Sequence, residues 1–311
     1  MPRLRVLFMG TPEFACPTLK MLLEHSGVEV IGVVTQPDRP KGRGQKLAQP
    51  PVKSLAIQHG VHVYQPAKVR APEFIQTIQD LNPDLIVVVA FGQILPKSLL
   101  DIPRLGCINV HASLLPRYRG AAPINWSIIN GDSKTGVTTM LMDVGLDTGD
   151  MLICRETPIF PDEDAESLYN RLSLLGAETM TETLEALVAG QLAPVKQDDA
   201  AACYAPMLKK EMGKIVWDQP AETVRNLVRG LTPWPGAFTY LHGQTLKINR
   251  ATLADGSGEP GTILKAEKAG IEVACGQGSL VIQELQPEGK RKMFAADFLA
   301  GNRLEIGTKL E

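Results

Sequence analysis

The chain has 311 residues, 44% hydrophobic and 21% charged, the balance of a folded globular protein with room for one large domain and a smaller one. Its formal net charge of −2 excludes a polyanion binder acting by bulk charge, so any nucleic-acid contact has to come from a local patch. The five cysteines are scattered, with no C-x-x-C pair and no His–Cys set at zinc spacing, which points to free thiols in a reducing compartment and to no metal. The first nine residues do not read as a signal peptide, and the most continuous apolar run, Leu85–Phe91, is too short to cross a bilayer. A soluble, cytoplasmic protein without a membrane partner is expected.

In chain order, Arg5–Met9 is a compact apolar run ending at Gly10. Thr11-Pro12-Glu13 then reads as a helix start, with Thr11 as cap and the helix running to about Leu23. A strand over Val28–Thr35 completes a strand–helix–strand opening, which predicts a parallel sheet. The first turn lacks G-x-G-x-x-G and no Walker lysine appears, which argues against a nicotinamide or nucleoside triphosphate enzyme. Gln36–Gln49 changes character: Arg39, Lys41, Arg43 and Lys46 stand against Asp38 alone, and two prolines and two glycines exclude a regular element. An exposed basic loop is expected there, at the carboxyl end of a strand.

Lys53–His59 and Ala71–Leu81 read as helices, Asp84–Phe91 as a central strand buried on both faces, and Leu105–His111 as the next strand. Ile124–Asn130 looks helical. Gly136–Met142 is a strand that leads into Asp143-Val-Gly-Leu-Asp-Thr-Gly149, and Met151–Glu156 is another. Asp164–Val188 carries the longest helical pattern, with Leu168, Leu172, Leu175, Leu184 and Leu187 on one face. Gln191–Pro206 has no period and reads as a linker. Beyond it lie a helix over Ala221–Arg229, short strands over Ala237–Leu241, Thr245–Arg250, Thr262–Lys265, Ile271–Ala274 and Ser279–Gln283, and a closing helix over Phe294–Ala300. Short strands at this spacing predict a small barrel. The expected fold is α/β, a Rossmann-like, mostly parallel sheet domain over residues 1–190, a linker over 191–208 and an OB-like β-barrel over 209–311. The barrel part is weakly basic and the rest weakly acidic, which gives slight support to nucleic-acid binding by the former.

The chemistry concentrates in Gly106–Pro123, where an apolar strand breaks into prolines, glycines and arginines. Asn109 and His111 are two apart on that strand, so they face one volume, about 7 Å from each other, at the edge where open α/β sheets bind ligands. The other histidines, His25, His59, His62 and His242, sit near helix ends, in loops or in a hairpin turn. An acidic partner has to come from elsewhere, and Asp143 and Asp147 both qualify by position. Turn chemistry alone would also explain an Asp- and Gly-rich loop.

Asn109-x-His111 with Ser113-Leu114-Leu115-Pro116, followed by Asp147-Thr148-Gly149, resembles the 10-formyltetrahydrofolate-dependent formyltransferases. The resemblance implies a catalytic set of Asn109, His111 and Asp147, a folate site lined by Ser113, Leu114, Leu115 and Pro116, and 10-formyltetrahydrofolate as formyl donor with no metal. Within that family, the basic loop resembles an insertion that contacts the acceptor stem of methionyl-initiator tRNA, which implies tRNA contacts by Lys41, Arg43 and Lys46. Tyr204–Lys209 and Thr232–Phe238 resemble the linker and the first part of the barrel in those members. For such a transfer an amide donor at Asn109 would hold the developing oxyanion, His111 would move protons, and Asp147 would orient His111. Ser113 is not needed as a nucleophile, because an amine is one already. An N-formyltransferase acting on an aminosugar nucleotide would share these residues, whereas a purely binding protein would have no need of all three. A monomer is the default expectation.

Overall fold

The computed structural model describes residues 3–41 and 46–311. The chain falls into two compact units, the first made of Met1–Gly120, Thr135–Thr157 and Tyr169–Tyr204, the second of Ala121–Lys134, Pro158–Leu168 and Ala205–Glu311.

In the first unit the strands are β1 (Leu4–Gly10), β2 (Val28–Val34), β3 (Arg39–Lys41), β4 (Lys46–Ala48), β5 (Val63–Tyr64), β6 (Leu85–Val89), β7 (Cys107–His111), the two-residue β8 (Arg119–Gly120), β9 (Lys134–Leu141) and β10 (Met151–Pro158). Seven of them form one sheet in the order β10-β9-β7-β6-β1-β2-β5. β1 pairs in parallel with β2 and β6, and β6 with β7, whereas β7 and β9 run antiparallel. β6 is Leu-Ile-Val-Val-Val and buried throughout, as a β-branched strand covered on both faces should be. The helices α1 (Cys16–Glu24), α2 (Pro51–Gln58), α3 (Pro72–Leu81) and α4 (Lys97–Leu100) belong to this unit, α5 (Pro123–Ile129) to the second, and α6 (Ala165–Val188) begins in the second and continues into the first. One core packs Leu7, Met9, Ile86 and Val88 of the sheet against Phe74 and Ile78 of α3 and Leu99 of α4. Each such side chain contributes about 1.5–3 kcal/mol on burial, which ties β1 and β6 to the helices beside them.

Three expectations change. Thr11 does not cap a helix. Its hydroxyl donates to the Phe91 carbonyl at 3.0 Å, a 3₁₀ turn occupies Glu13–Ala15, and α1 starts only at Cys16. The basic segment is not free of regular structure, because β3 and β4 pair as an antiparallel ribbon with Arg39 opposite Ala48 and Lys41 opposite Lys46. Pro40 is tolerated because a two-stranded ribbon is all edge, so its missing N–H breaks no central ladder. Arg43 lies outside the described residues. The stretch read as a linker is bonded to the first unit up to Tyr204, beginning with a bridge between Met151 and Val195.

The chain crosses from the first unit to the second for the last time in β11 (Tyr204–Ala205). The second unit then has α7 (Ala221–Gly230), β12 (Ala237–Leu241), β13 (Gln244–Ala254), β14 (Ile263–Glu267), β15 (Gly270–Ala274), β16 (Ser279–Pro287), β17 (Met293–Phe294) and α8 (Ala295–Gly301). The strands pair antiparallel in the order β12-β13-β16-β15-β14, and β17 adds to β16. Leu246, Ile248, Ile271, Val273 and Leu280 face inward with Val224 and Val228 of α7. β13 and β16 are longer than expected because register shifts between Ile248 and Ala251 break the alternation, which makes Asn249 and Arg250 look like a strand end. The two sheet edges are joined by residues 308–311. Ile263 N–H donates to Thr308 O at 2.8 Å and Leu310 N–H to Gly261 O at 2.8 Å, while Tyr240 and Glu311 exchange both backbone bonds at 2.9 and 3.0 Å. That strap links the two outer strands, at Ile263 of β14 and Tyr240 of β12, and closes the sheet into a barrel.

Candidate active site

β7 brings up the first two residues. Asn109 lies between Val88 of β6 and Met140 of β9, and His111, at the strand's carboxyl end, is opposite Thr138. Asn109 is half-buried, and among the described residues its side-chain amide has no protein hydrogen-bond partner. His111 is buried, with Nε2 2.9 Å from the Tyr118 carbonyl oxygen. A carbonyl only accepts, so Nε2 carries a proton and donates it to that contact. In the neutral ring the lone pair is then on Nδ1, which stands 3.7 Å from Asp147 Oδ2.

Asp147 arrives by a route that strand reading missed. Because β9 runs against β7, its last residue, Leu141, is opposite Ile108 near the start of β7 rather than opposite His111. The loop after β9 therefore has to climb back by about three residues of strand, some 10 Å, to bring its carboxylate to His111. Asp143 braces that climb: its carboxylate accepts from Gly145 N–H at 2.9 Å and from the Thr148 hydroxyl at 2.7 Å. Gly149 sits so close to β9 that a Cβ there would be 1.7 Å from Leu141 O. Asp147 takes a left-handed backbone conformation, φ 54°, and its Oδ2 also accepts from Gly120 N–H at 2.8 Å. The two acids that position alone left equivalent are thus separated, Asp143 turned into the loop and Asp147 toward His111.

The Ser113–Pro116 turn follows β7 directly. Ser113 is fully buried and its hydroxyl donates to Arg117 O at 2.7 Å, while the Thr138 hydroxyl donates to Ser113 O at 2.7 Å. That hydroxyl is committed to the turn, so it neither faces His111 as a nucleophile nor offers itself to a ligand. Leu115 is buried, whereas Leu114 and Pro116 keep partial exposure. Ile94, in the loop after β6, is 83% exposed, and Val144 and Leu146, in the Asp147 loop, are 68% and 56% exposed. Exposed apolar side chains on the loops of a polar site are what a flat apolar ring system would cover, so these residues fit a folate.

At the basic ribbon, Asp38, the lone acid, accepts from Lys53 Nζ on α2 at 2.8 Å and from Gln65 Nε2 at 2.8 Å. The bonds from Lys53 and Gln65 hold its carboxyl below the usual carboxylate range. It is therefore spent on the body of the unit and does not neutralise the ribbon's cations. Sequence reasoning missed Tyr118, Gly120 and Gln197. The first two act through backbone atoms, which carry no side-chain signature, and a single Gln in an aperiodic stretch carries none either. Among the described residues, no group of three or more His, Cys, Asp or Glu side chains is placed to hold a metal ion, and no helix is long and apolar enough to cross a membrane.

Comparison with known proteins identifies the family. The formyl transferase family model matches residues 3–184, and that of the formyl transferase C-terminal domain matches residues 207–303. A methionyl-tRNA formyltransferase of Geotalea uraniireducens is 64% identical over 310 residues, 100% of this chain and 99% of that protein. A methionyl-tRNA formyltransferase of Geobacter sulfurreducens is also 64% identical, over 100% of this chain and 98% of the relative. Among solved structures, the sugar 3N-formyl transferase WlaRD, crystallised in the presence of dTDP and 5-N-formyl-THF, superposes with a TM-score of 0.70 at 18% identity, over 94% of this chain and 100% of its own. At that identity the likeness is one of fold.

Proposed function

The chain belongs to the formyl transferase family, and we propose that it transfers the formyl group of 10-formyltetrahydrofolate to the α-amino group of methionyl-initiator tRNA, giving formylmethionyl-tRNA for translation initiation. The observation that carries this reading is the full-length identity of 64% to methionyl-tRNA formyltransferases.

The folate supplies a formyl carbon on a nitrogen that can leave; every other task falls to the chain. Asn109, His111 and Asp147 are the catalytic set. The unpaired Asn109 amide donates to the formyl oxygen as that oxygen gains negative charge, a contribution of roughly 10²–10³ in rate. An α-amine titrates near 7.7–8.0 in simple models, so much of the acceptor is protonated at neutral pH and has to shed a proton before or during attack. His111, with Nε2–H fixed on Tyr118 O, presents the Nδ1 lone pair to a proton of the attacking amine and passes it to the folate nitrogen as the bond from the formyl carbon to that nitrogen breaks, acid–base help worth roughly 10²–10⁴. At 3.7 Å, Asp147 Oδ2 is too far for a hydrogen bond to Nδ1 but faces that nitrogen and so helps to orient the ring. The Ser113–Pro116 turn forms part of the folate wall through Leu114, Pro116 and the backbone that the buried Ser113 and Leu115 hold in place.

The basic segment of the sequence, with Lys41, Arg43 and Lys46, contacts phosphates of the acceptor stem, and the barrel over 209–311 adds further tRNA contacts to a catalytic domain over 1–190. The protein acts as a monomer in the cytoplasm. The test uses 10-formyltetrahydrofolate labelled in the formyl group, incubated with methionyl-initiator tRNA, with an aminosugar nucleotide, and with neither. Label in the tRNA alone is the expected result. Label in the sugar nucleotide and none in the tRNA would overturn the reading.

A further inference from the structure

The contacts around Asp147 form a closed circuit that runs through residues outside the catalytic set. His111 Nε2 is held by Tyr118 O, and Asp147 Oδ2 is held by Gly120 N–H. Between those two backbone atoms in sequence stands Arg119, whose side chain bonds to neither group. Its guanidinium is almost wholly buried, donating from Nε to Gln197 Oε1 at 3.0 Å and from Nη2 to Asp199 Oδ1 at 2.8 Å. Gln197, itself buried, turns its amide the other way: Nε2 donates to Asp147 O at 2.8 Å and to Gly149 O at 2.7 Å. The same Gln thus pins the main chain on both sides of Thr148 while its oxygen answers a buried charge.

A side-chain amide has two N–H donors and an acceptor oxygen, and in Gln197 all three are engaged. Both of its donated bonds fall on the loop that has to climb from Leu141 to His111. That climb leaves Asp147 in a left-handed conformation with its neighbours Val144 and Leu146 exposed, a conformation with little packing of its own to keep it. We propose that Gln197, oriented by Arg119, is a positioning residue for formyl transfer, one that sets the place of the Asp147 carboxylate relative to His111. The inference rests on the assignment of Asp147 to the catalytic set.

Gln197→Ala removes both loop bonds, and Gln197→Glu keeps the size and the acceptor for Arg119 but replaces the donor with an oxygen that faces two carbonyls. Displacing a reacting group by about 1 Å costs on the order of 10²-fold in rate, so both variants are expected to lose about that factor in kcat with little change in KM for tRNA or folate. In an Asp147→Ala background, Gln197→Ala is expected to add almost nothing, because it acts through the side chain already removed. Amide hydrogen exchange over residues 143–149 is expected to accelerate in both variants, and the melting temperature to fall in Gln197→Ala, where the buried Arg119 Nε loses its acceptor.

A Gln197→Glu protein with wild-type kcat would overturn the proposal, as would a Gln197→Ala effect that is fully additive with Asp147→Ala. So would unchanged exchange in the loop, a measurement that needs no substrate and decides the matter even if methionyl-tRNA is not formylated. Failure of the wild type to label tRNA would instead remove the functional reading and leave the loop-pinning result to stand or fall by exchange.

Discussion

Replacing Gly149 by alanine would place a methyl carbon 1.7 Å from Leu141 O and 2.9 Å from Leu141 C, both of them backbone atoms of β9. Ordinary van der Waals contact begins at 3.4 Å, so about 1.7 Å of extra separation has to be found. β9 is paired with β7 through Leu141 itself, which leaves the Asp143–Gly149 loop as the part that gives. Two residues before the new methyl is Asp147, and a carboxylate carried off by 1–2 Å loses its place beside His111. At about 10²-fold in rate per ångström of misplacement, Gly149→Ala is expected to lower kcat by about 10²-fold or more, some 2.7 kcal/mol in the barrier. Strain of this kind typically also costs about 1–3 kcal/mol of stability, less where a surface loop can move. The assay is single-turnover formyl transfer at saturating folate, with folate affinity and the melting curve measured on the same preparations. Gly301→Ala, where a Cβ would meet nothing within 4 Å, serves as the neutral control. A Gly149→Ala protein within threefold of the wild type in single-turnover rate would refute the claim that the close approach to Leu141 is what aims Asp147.

Asn109→Ala is expected to lower kcat by about 10²–10³ and His111→Ala by about 10²–10⁴, with tRNA and folate binding retained; near-normal turnover in either would remove that residue from the set. Arg43→Ala is expected to weaken tRNA binding and to flatten its dependence on salt by about one unit of slope in log K against log[salt], and an unchanged slope would count against a phosphate contact there. In the barrel, the bonds that Lys265 and Ser279 donate to Glu272 hold its carboxyl below the usual range. A carboxylate depressed in the folded state adds stability above its unfolded value, about 4.3, and loses it as pH falls through the folded one. Glu272→Gln should therefore narrow the gap in melting temperature between pH 7 and pH 3, and a variant with the wild-type acid limb would exclude this carboxylate as a contributor.

The sequence was most legible where one local pattern is enough. The β-branched run of β6, the apolar β7 ending at His111, and the two-residue spacing of Asn109 and His111 all follow from strand periodicity. The choice between Asp143 and Asp147 did not follow, because it depends on β9 running against β7, and strand direction leaves no trace in the alternation of residues. The β3–β4 ribbon was hidden by prolines that a lone two-stranded edge accepts. The strap at residues 308–311 has no pattern of its own, since it is bonded on both sides by strands more than forty residues earlier in the chain and buries only Leu310. Gln197 was unreadable for a related reason, its partners Arg119 and Asp147 lying 78 and 50 residues earlier in the chain.

Those separations also set an order of events during synthesis. Asn109, His111 and Asp147 all leave the ribosome before Gln197, and at about 5–20 residues per second the 50 residues between Asp147 and Gln197 take several seconds to add. For that interval β7 can already be paired with β6, while the loop that carries the carboxylate has its bonds to Asp143 and to Gly120 N–H but lacks the two from Gln197. The nascent chain would then hold every residue of the catalytic set before it holds the bonds that aim one of them. A chain released at residue 190 would carry the whole catalytic set and lack both Gln197 bonds to the loop that holds Asp147.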